Sequence, residues 1–376
     1  MYPNIGGIEQ VARDITASLK AGGEIEQRII CFNSNAADGD YVCRQNETVH
    51  DVVDGVEVIR CGCFAKVSSQ QLSLSFGREL KRVMEEFSPD IVIFQYPNPL
   101  EAFHLLRYKR RSFKLVVFWQ LDITKQKILG KLFHGQSLAL LRRADMVLTS
   151  SPNYIGGSPY LRRFREKCRP LPLCVPRDKL EIPEQAPRLA EKIRAEYSGK
   201  ILCFAVGRHI PYKGFSCLIK AAKLLDPEKY AVCIGGTGPL TESLKAQAAD
   251  CGTVRFVGRL SNEELSAYYS ACDIFCFSSI TKNEAFGLAL AEAMYYSKPA
   301  VTFNIPGSGV NFVSLDGVTG IECPNGDEAA YARAITTLGE NKALREEYGA
   351  NARKRVEETF MFERFSEEIQ NIVASL

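Results

Sequence analysis

Short apolar runs rich in valine, isoleucine and phenylalanine recur along the chain, each closed by a polar or glycine-bearing turn. Segments with apolar residues at helical spacing follow many of them. In the first half this pattern predicts strands at Arg28–Phe32, Val52–Arg60, Ile91–Gln95, Leu115–Trp119 and Met146–Ser150. In the second half it predicts them at Ile201–Val206, Tyr230–Gly238 running into its glycine turn, Val254–Leu260, Asp273–Phe277 and Lys298–Thr302. Helices are expected after Gly6-Gly7 (Ile8, Val11, Ile15 and Leu19 on one face), at Leu74–Phe87, Lys125–Arg143, Leu265–Cys272, Leu288–Tyr295, Asp327–Leu338, Asn341–Arg355 and Glu363–Val373. Strands alternating with helices imply parallel sheets of the α/β class. At 376 residues the chain exceeds one ordinary core, so two domains are expected.

The stretch Ser278–Met294 (S-S-I-T-K-N-E-A-F-G-L-A-L-A-E-A-M) concentrates the candidate chemistry. It reads as a strand end, a polar loop holding Glu284, and a helix carrying Glu292 about two turns in. A helix start at the carboxyl end of a parallel strand suits an anion. Two carboxylates there would repel phosphate, so they suit sugar hydroxyls beside it.

Glu284 and Glu292, with seven residues between them in E-A-F-G-L-A-L-A-E, resemble the E-x7-E motif of the group-1 (family 4) retaining glycosyltransferases, which have two Rossmann-like domains facing across a cleft (GT-B). Gly207-Arg208-His209-Ile210-Pro211-Tyr212-Lys213-Gly214 resembles the same family's G-R-x-x-x-x-K-G. An arginine fork and a lysine point charge form a natural diphosphate-binding pair. Weaker echoes lie at Gly6-Gly7, at Trp119–Gln126 (W-Q-L-D-I-T-K-Q), at Ser150–Lys167, at Gly235–Leu240 and at Asp316–Gly320. The resemblance runs from about Ile5 to the end of the chain. It most resembles bacterial surface-polysaccharide glycosyl- and mannosyltransferases.

The resemblance implies an acceptor-side domain over 1–168, a proline-rich linker over 169–187 with little regular structure, and a donor domain over 188–359. It also implies a last helix, 360–376, that packs back on the first domain. Relatives carry a strand before Gly6, for which Met1 leaves no room, so a first strand is expected to be missing. The implied activity is retaining transfer of a hexose from a GDP- or UDP-sugar to a glycan or lipid-linked acceptor. Arg208, Lys213 and Glu284 are the implied catalytic group. Gly6, Gly7, Gln120, Gly207, Gly236, Val257, Leu260, Ala285, Phe286, Gly287, Leu288 and Glu292 would complete the donor site. Glu284 would orient sugar hydroxyls and Glu292 the ribose.

Three positions depart from the family pattern. Gln120 stands where relatives have a histidine near the reacting carbon, and glutamine cannot carry a proton near neutral pH. Pro172-Leu173-Cys174-Val175 lacks the glycine of P-L-G-V, and the first strand is expected to be missing. A nucleotide-sugar-binding protein with weakened catalysis therefore stands as an alternative, as does a related GT-B enzyme such as a sugar-nucleotide epimerase. Asp122 is either a substrate contact on the acceptor side or a helix N-cap.

Composition narrows this picture. With 46% hydrophobic and 24% charged residues the chain is an ordinary globular protein. It has neither an apolar run of membrane-spanning length nor signal-peptide regions, so cytosol is expected. Thirteen cysteines are scattered, many in apolar strands, without metal-ligand spacing. No metal and no cofactor is expected, the nucleotide-sugar being a co-substrate. Residues 107–169 hold 15 basic against 3 acidic side chains. This is either a solvated basic surface or a contact with an anionic membrane, at the inner face of which the protein would then work. Nucleic-acid binding is not expected, because no recognition motif accompanies the charge.

Overall fold

The computed structural model describes residues 7–23, 25–33, 41–67, 70–109, 112–123 and 127–376. The chain forms two compact units, one of residues 1–150, 158–171 and 365–376, the other of residues 151–157 and 172–364.

The first unit holds β1 (Arg28–Phe32), β2 (Val49–Val53), β3 (Val56–Cys61), β4 (Ala65–Val67), β5 (Gln70–Leu72), β6 (Ile91–Tyr96), β7 (Lys114–Trp119), β8 (Met146–Thr149) and β9 (Cys168–Pro170). Its helices are α1 (Gly7–Ala21), α2 (Phe76–Glu86), α3 (Pro99–Arg107) and α4 (Lys127–Arg143). β6, β7, β8 and β9 make one parallel sheet in that order; β1, β3 and β2 make a second, mixed sheet in which β1 runs parallel and β2 antiparallel to β3. Among the described residues no strand pairs with the outer edge of β1 or of β6, and most residues of these two strands are only half-buried.

The run expected as one strand over Val52–Arg60 is instead a hairpin. Asp54 and Gly55 both take positive φ (52° and 77°), the geometry of a two-residue turn whose twist matches the strands it joins. The linker expected to lack regular structure contains β9, which pairs with β8 in register Thr149↔Pro170. Proline is tolerated there because β9 is an edge strand.

The second unit holds β10 (Ile201–Val206), β11 (Tyr230–Gly235), β12 (Val254–Gly258), β13 (Ile274–Phe277), β14 (Ala300–Phe303) and β15 (Gly320–Cys323). Its helices begin with α5 (Pro152–Gly157), α6 (Arg177–Leu180), α7 (Ala186–Glu196), α8 (Phe215–Ala222) and α9 (Thr241–Gln247). They continue with α10 (Asn262–Ala271), α11 (Leu288–Tyr295), α12 (Val310–Val313), α13 (Glu328–Glu340) and α14 (Lys342–Thr359). The last helix, α15 (Phe362–Ala374), passes from this unit into the first, where Gln370 Nε2 donates to Ser18 O at 2.8 Å.

All six strands of the second unit run parallel in the order β12-β11-β10-β13-β14-β15. Covered on both faces by helices, β11, β13 and β14 are buried throughout, which is why they read as unbroken apolar runs. Strand order reverses between β10 and β13. In such a sheet ligands bind beyond the carboxyl ends of the strands at this reversal. The loops leaving these two strands are residues 207–214 and 278–287, the two stretches that carry the sequence candidates.

Candidate functional site

Three glycine turns at the ends of β10, β11 and β12 are laced together by backbone bonds. Gly207 N–H donates to Gly235 O (3.2 Å), Gly236 N–H to Gly258 O (2.6 Å) and His209 N–H to Thr237 O (3.0 Å). Gly236 has φ +101°, and a Cβ there would stand 2.0 Å from Gly207 O. Only glycine fits. His209 is 1% exposed, wedged edge-on between Phe215 and Phe256, with Nδ1 3.0 Å from Thr241 Oγ1. Burial lowers its pKa, so it packs as a neutral ring that spaces the turns.

The loop after β10 is tied to the loop after β13. Ser278 Oγ donates to Lys213 O (2.9 Å) and Ile280 N–H to Tyr212 O (3.0 Å). Gly214 (φ +66°) passes so close that a Cβ would lie 2.0 Å from Ser278 O. These ties bring Lys213 Nζ to 2.5 Å from Glu284 Oε2, which also accepts from Ser279 Oγ at 2.8 Å. Ser308 Oγ donates to the Glu284 carbonyl, and Gly309 N–H to Ala285 O (3.1 Å). The Lys213 and Glu284 side chains are 16% and 11% exposed. Burial works against the Lys213 ammonium, but the Glu284 carboxylate outweighs it and holds the pKa above the ordinary lysine value. Arg208 is exposed, and among the described residues its guanidinium makes no hydrogen bond or ion pair. Its charge, with those of Lys213 and Glu284, acts on the Tyr212 hydroxyl.

Gly287 (φ +96°) caps α11, and Glu292 follows one turn in rather than two. Its carboxyl is 8% exposed, and Tyr269 Oη donates to Oε2 at 2.9 Å. Burial raises the Glu292 pKa; the Tyr269 bond and, more weakly, Lys179 oppose the rise. Phe286 turns inward, 3% exposed and edge-on to Phe360, so only its backbone can meet a ligand. Val257, Leu260 and Leu288 are half-buried, and the Leu260 side chain lies over Gly235.

The other predicted residues lie in the first unit. Gln120 follows β7, 8% exposed, and its Nε2 donates to Gln95 Oε1 at 2.7 Å. Asp122 is 2% exposed, its Oδ1 accepting from Trp119 Nε1 (3.0 Å) and Ser158 Oγ (2.7 Å). It is not a helix N-cap, because the residue after it, Ile123, is not helical; it anchors the loop to the indole and to Ser158. Gly7 opens α1, whereas Gly6 lies outside the described residues, as does Lys125.

The basic stretch divides into two kinds of residue. Lys167 Nζ donates to Leu141 O, Arg142 O and Ala144 O, closing the carboxyl end of α4. Arg142, Arg162, Arg163 and Arg165 are exposed, and among the described residues their guanidinium groups have no acidic partner. Among the described residues no group of three or more His, Cys, Asp or Glu side chains could hold a metal ion, and no helix is long and apolar enough to cross a membrane. Sequence reasoning missed Tyr269, Ser279, Ser308 and Gln95. Ser279 had a signal, since it opens the polar loop leading to Glu284; the other three reach their partners only through the fold.

The family description "Glycosyl transferases group 1" matches residues 188–355, and "Glycosyl transferase 4-like domain" matches 6–156. D-rhamnosyltransferase WbpZ of Pseudomonas aeruginosa is 31% identical over 362 residues, spanning 95% of this chain and 88% of that protein. The chain belongs to the group-1 glycosyltransferases. O-antigen chain mannosyltransferase C of Escherichia coli is 27% identical over 379 residues, covering 100% of this chain and 96% of the relative. Among solved structures, sucrose-phosphate synthase of Thermosynechococcus elongatus superposes with a TM-score of 0.76 at 21% identity, over 98% of this chain and 93% of that one. Anabaena HepE in complex with UDP-glucose gives 0.75 at 16%, over 99% and 97%. These glycosyltransferases share the fold of two Rossmann-like domains, GT-B, and this group-1 member has it too.

Proposed function

We propose that this glycosyltransferase moves a hexose from a nucleoside-diphosphate sugar onto a growing surface polysaccharide, with retention at the anomeric carbon. The observation that carries the donor assignment is the meeting of Arg208, Lys213 and Glu284 at the strand-order reversal of the second unit. The names of the two relatives, a rhamnosyl- and an O-antigen mannosyltransferase, support the hexose and the polysaccharide.

In this reading the bond from the anomeric carbon to the diphosphate breaks, a bond to the acceptor oxygen forms on the same face, and the acceptor's proton ends on a phosphate oxygen. Negative charge grows on the leaving diphosphate. The free Arg208 fork and Lys213 stabilise it, the electrostatic contribution that generally dominates such sites. These cations, rather than a metal or cofactor, carry that task. Glu284, already fixed by Ser279, turns its remaining oxygen to the sugar hydroxyls, and Glu292 receives the ribose. Exposed Arg142, Arg162, Arg163 and Arg165 attract an anionic membrane surface that presents a lipid-linked acceptor.

The test is thermal melting against a panel of nucleoside diphosphates and their sugars, followed by transfer to a lipid-linked acceptor. Ligand binding to the folded state raises the melting temperature by mass action. A rise with one nucleotide family, lost in Arg208→Ala and followed by product of unchanged anomeric configuration, is expected. A well-folded protein that responds to none of them would sink the donor site.

A further inference from the structure

The loop that carries Glu284 is held by its own backbone and by a segment from elsewhere in the chain. Glu284 N–H donates to Thr281 O at 3.0 Å, so Thr281–Glu284 form one tight turn with Lys282 and Asn283 at its centre. From that turn the half-buried Lys282 reaches out, and its Nζ donates to the Gly157 carbonyl at 3.0 Å. Gly157 is the last residue of α5, which packs on α12. Residues 151–157 belong to the second unit although the chain on either side of them belongs to the first. Gly157 in turn lies against Gly307. A Cβ on Gly157 would stand 2.4 Å from Gly307 Cα, and one on Gly307 2.5 Å from Gly157 Cα, so both positions need glycine. The hydroxyl of the next residue, Ser308, donates to the Glu284 carbonyl. Lys282, Gly157, Gly307, Ser308 and Glu284 therefore close a ring of contacts.

We infer that Lys282 is a positioning residue for the transfer, fixing the place of Glu284 by clamping its turn to α5; this rests on the donor-site reading above. The Glu284 side chain is oriented by Lys213 and Ser279, but those bonds aim the carboxylate only as well as its backbone is placed. On one side that backbone is tied to the loop after β14, through Ser308 and through Gly309 N–H to Ala285 O. On the other, Asn325 Nδ2 holds Ile280 O at 3.0 Å, and Lys282 anchors the turn itself. The anchor is cationic, and an ammonium makes a stronger bond to a carbonyl than a neutral donor would. Backbone meets backbone where Gly157 touches Gly307, so no flexible side chain there can absorb a shift of α5. Precision matters because a misplacement of about 1 Å in such a site can cost about a hundredfold. Loss of Lys282 then disturbs the sugar end of the donor, which Glu284 meets. It spares the diphosphate, which Arg208 and Lys213 meet.

The experiment is calorimetric titration of the full chain with GDP and GDP-mannose, and with UDP and UDP-glucose. Wild type is compared with Lys282→Met, Lys282→Arg and Arg208→Ala, each also melted without ligand. Lys282→Met keeps the stem of the side chain and should melt close to wild type. It should bind the sugar nucleotide about tenfold more weakly than wild type does, while its affinity for the bare diphosphate stays within about twofold. Lys282→Arg, able to donate to the same carbonyl, should restore most of the sugar-nucleotide affinity. Arg208→Ala should weaken both ligands by a similar factor. Three results overturn the positioning role alone: Lys282→Met binding the sugar nucleotide as wild type does, weakening both ligands equally, or being matched by Lys282→Arg. A large fall in the Lys282→Met melting temperature does the same, since Lys282 would then serve stability. Failure of wild type to bind any of the four ligands, or indifference to Arg208→Ala, overturns the donor site and the positioning role with it.

Discussion

Replacing Lys213 by methionine tests the central ion pair most directly. The substitution keeps the length and apolar stem of the side chain and removes the ammonium from Glu284 Oε2, 2.5 Å away. Glu284 is then left, nearly buried, with Ser279 Oγ as its side-chain donor. Breaking a buried pair by deleting one partner costs about 3–5 kcal/mol, mostly from the charge left behind. The residual exposures of 16% and 11% place this pair at the lower end, about 3 kcal/mol. In a unit of about 200 residues each kcal/mol moves the midpoint by roughly 2–4 °C, so a fall of about 6–12 °C is expected. The double variant Lys213→Met/Glu284→Gln should recover more than half of it, because a neutral amide can stay on Ser279 without a counter-charge. The assay is ligand-free thermal melting in low-phosphate buffer. The pH dependence has a definite sign. Folding raises the Lys213 pKa above 10.5, so its contribution is complete below that value and is lost as pH rises through the folded pKa. Lys213→Met melting within 2 °C of wild type near neutral pH, with the double variant merely additive, would refute the reasoning.

Glu292→Gln should raise the melting temperature near pH 7 while weakening nucleotide binding. Burial raises the folded pKa of Glu292, so its ionisation costs stability as pH rises through that pKa, and the gain from the amide should vanish in acid, where both side chains are neutral; an equal gain at all pH values would point to packing instead. Gly236→Ala should lower the melting temperature and abolish nucleotide-induced stabilisation, because its Cβ would lie 2.0 Å from Gly207 O at φ +101°; an alanine variant that still responds to nucleotide would show that the turns are not interlocked.

The second unit was largely legible in the chain because its strands are covered on both faces. Ile201–Val206 and Leu288–Tyr295 end where their apolar patterns end. The hairpin over residues 49–61 was missed although Asp54-Gly55 marks it, because apolar residues lie on both sides and hide the turn. Arg208, Lys213, Glu284 and Glu292 could be singled out by spacing. Their partners could not, since 71 residues of chain separate Lys213 from Glu284. Net charge misled in one respect. Lys167 counted as part of a basic surface, yet its ammonium is spent on two carbonyls of α4 and that of Ala144 just past it, and only the fold separates such a cap from its free neighbours.

The interlocked turns at the ends of β10, β11 and β12 also bear on how affinity arises. Each turn is pinned by the backbone of another, so the cradle's conformational freedom is surrendered when the unit folds, before any sugar nucleotide arrives. Binding then has little left to freeze except the side chains that reach into the cradle, Arg208 foremost. The rigid backbone sets the shape common to all nucleotides, and preference among them is left to a few substitutable side chains, so the enzyme's donor can change without disturbing the sheet that supports it.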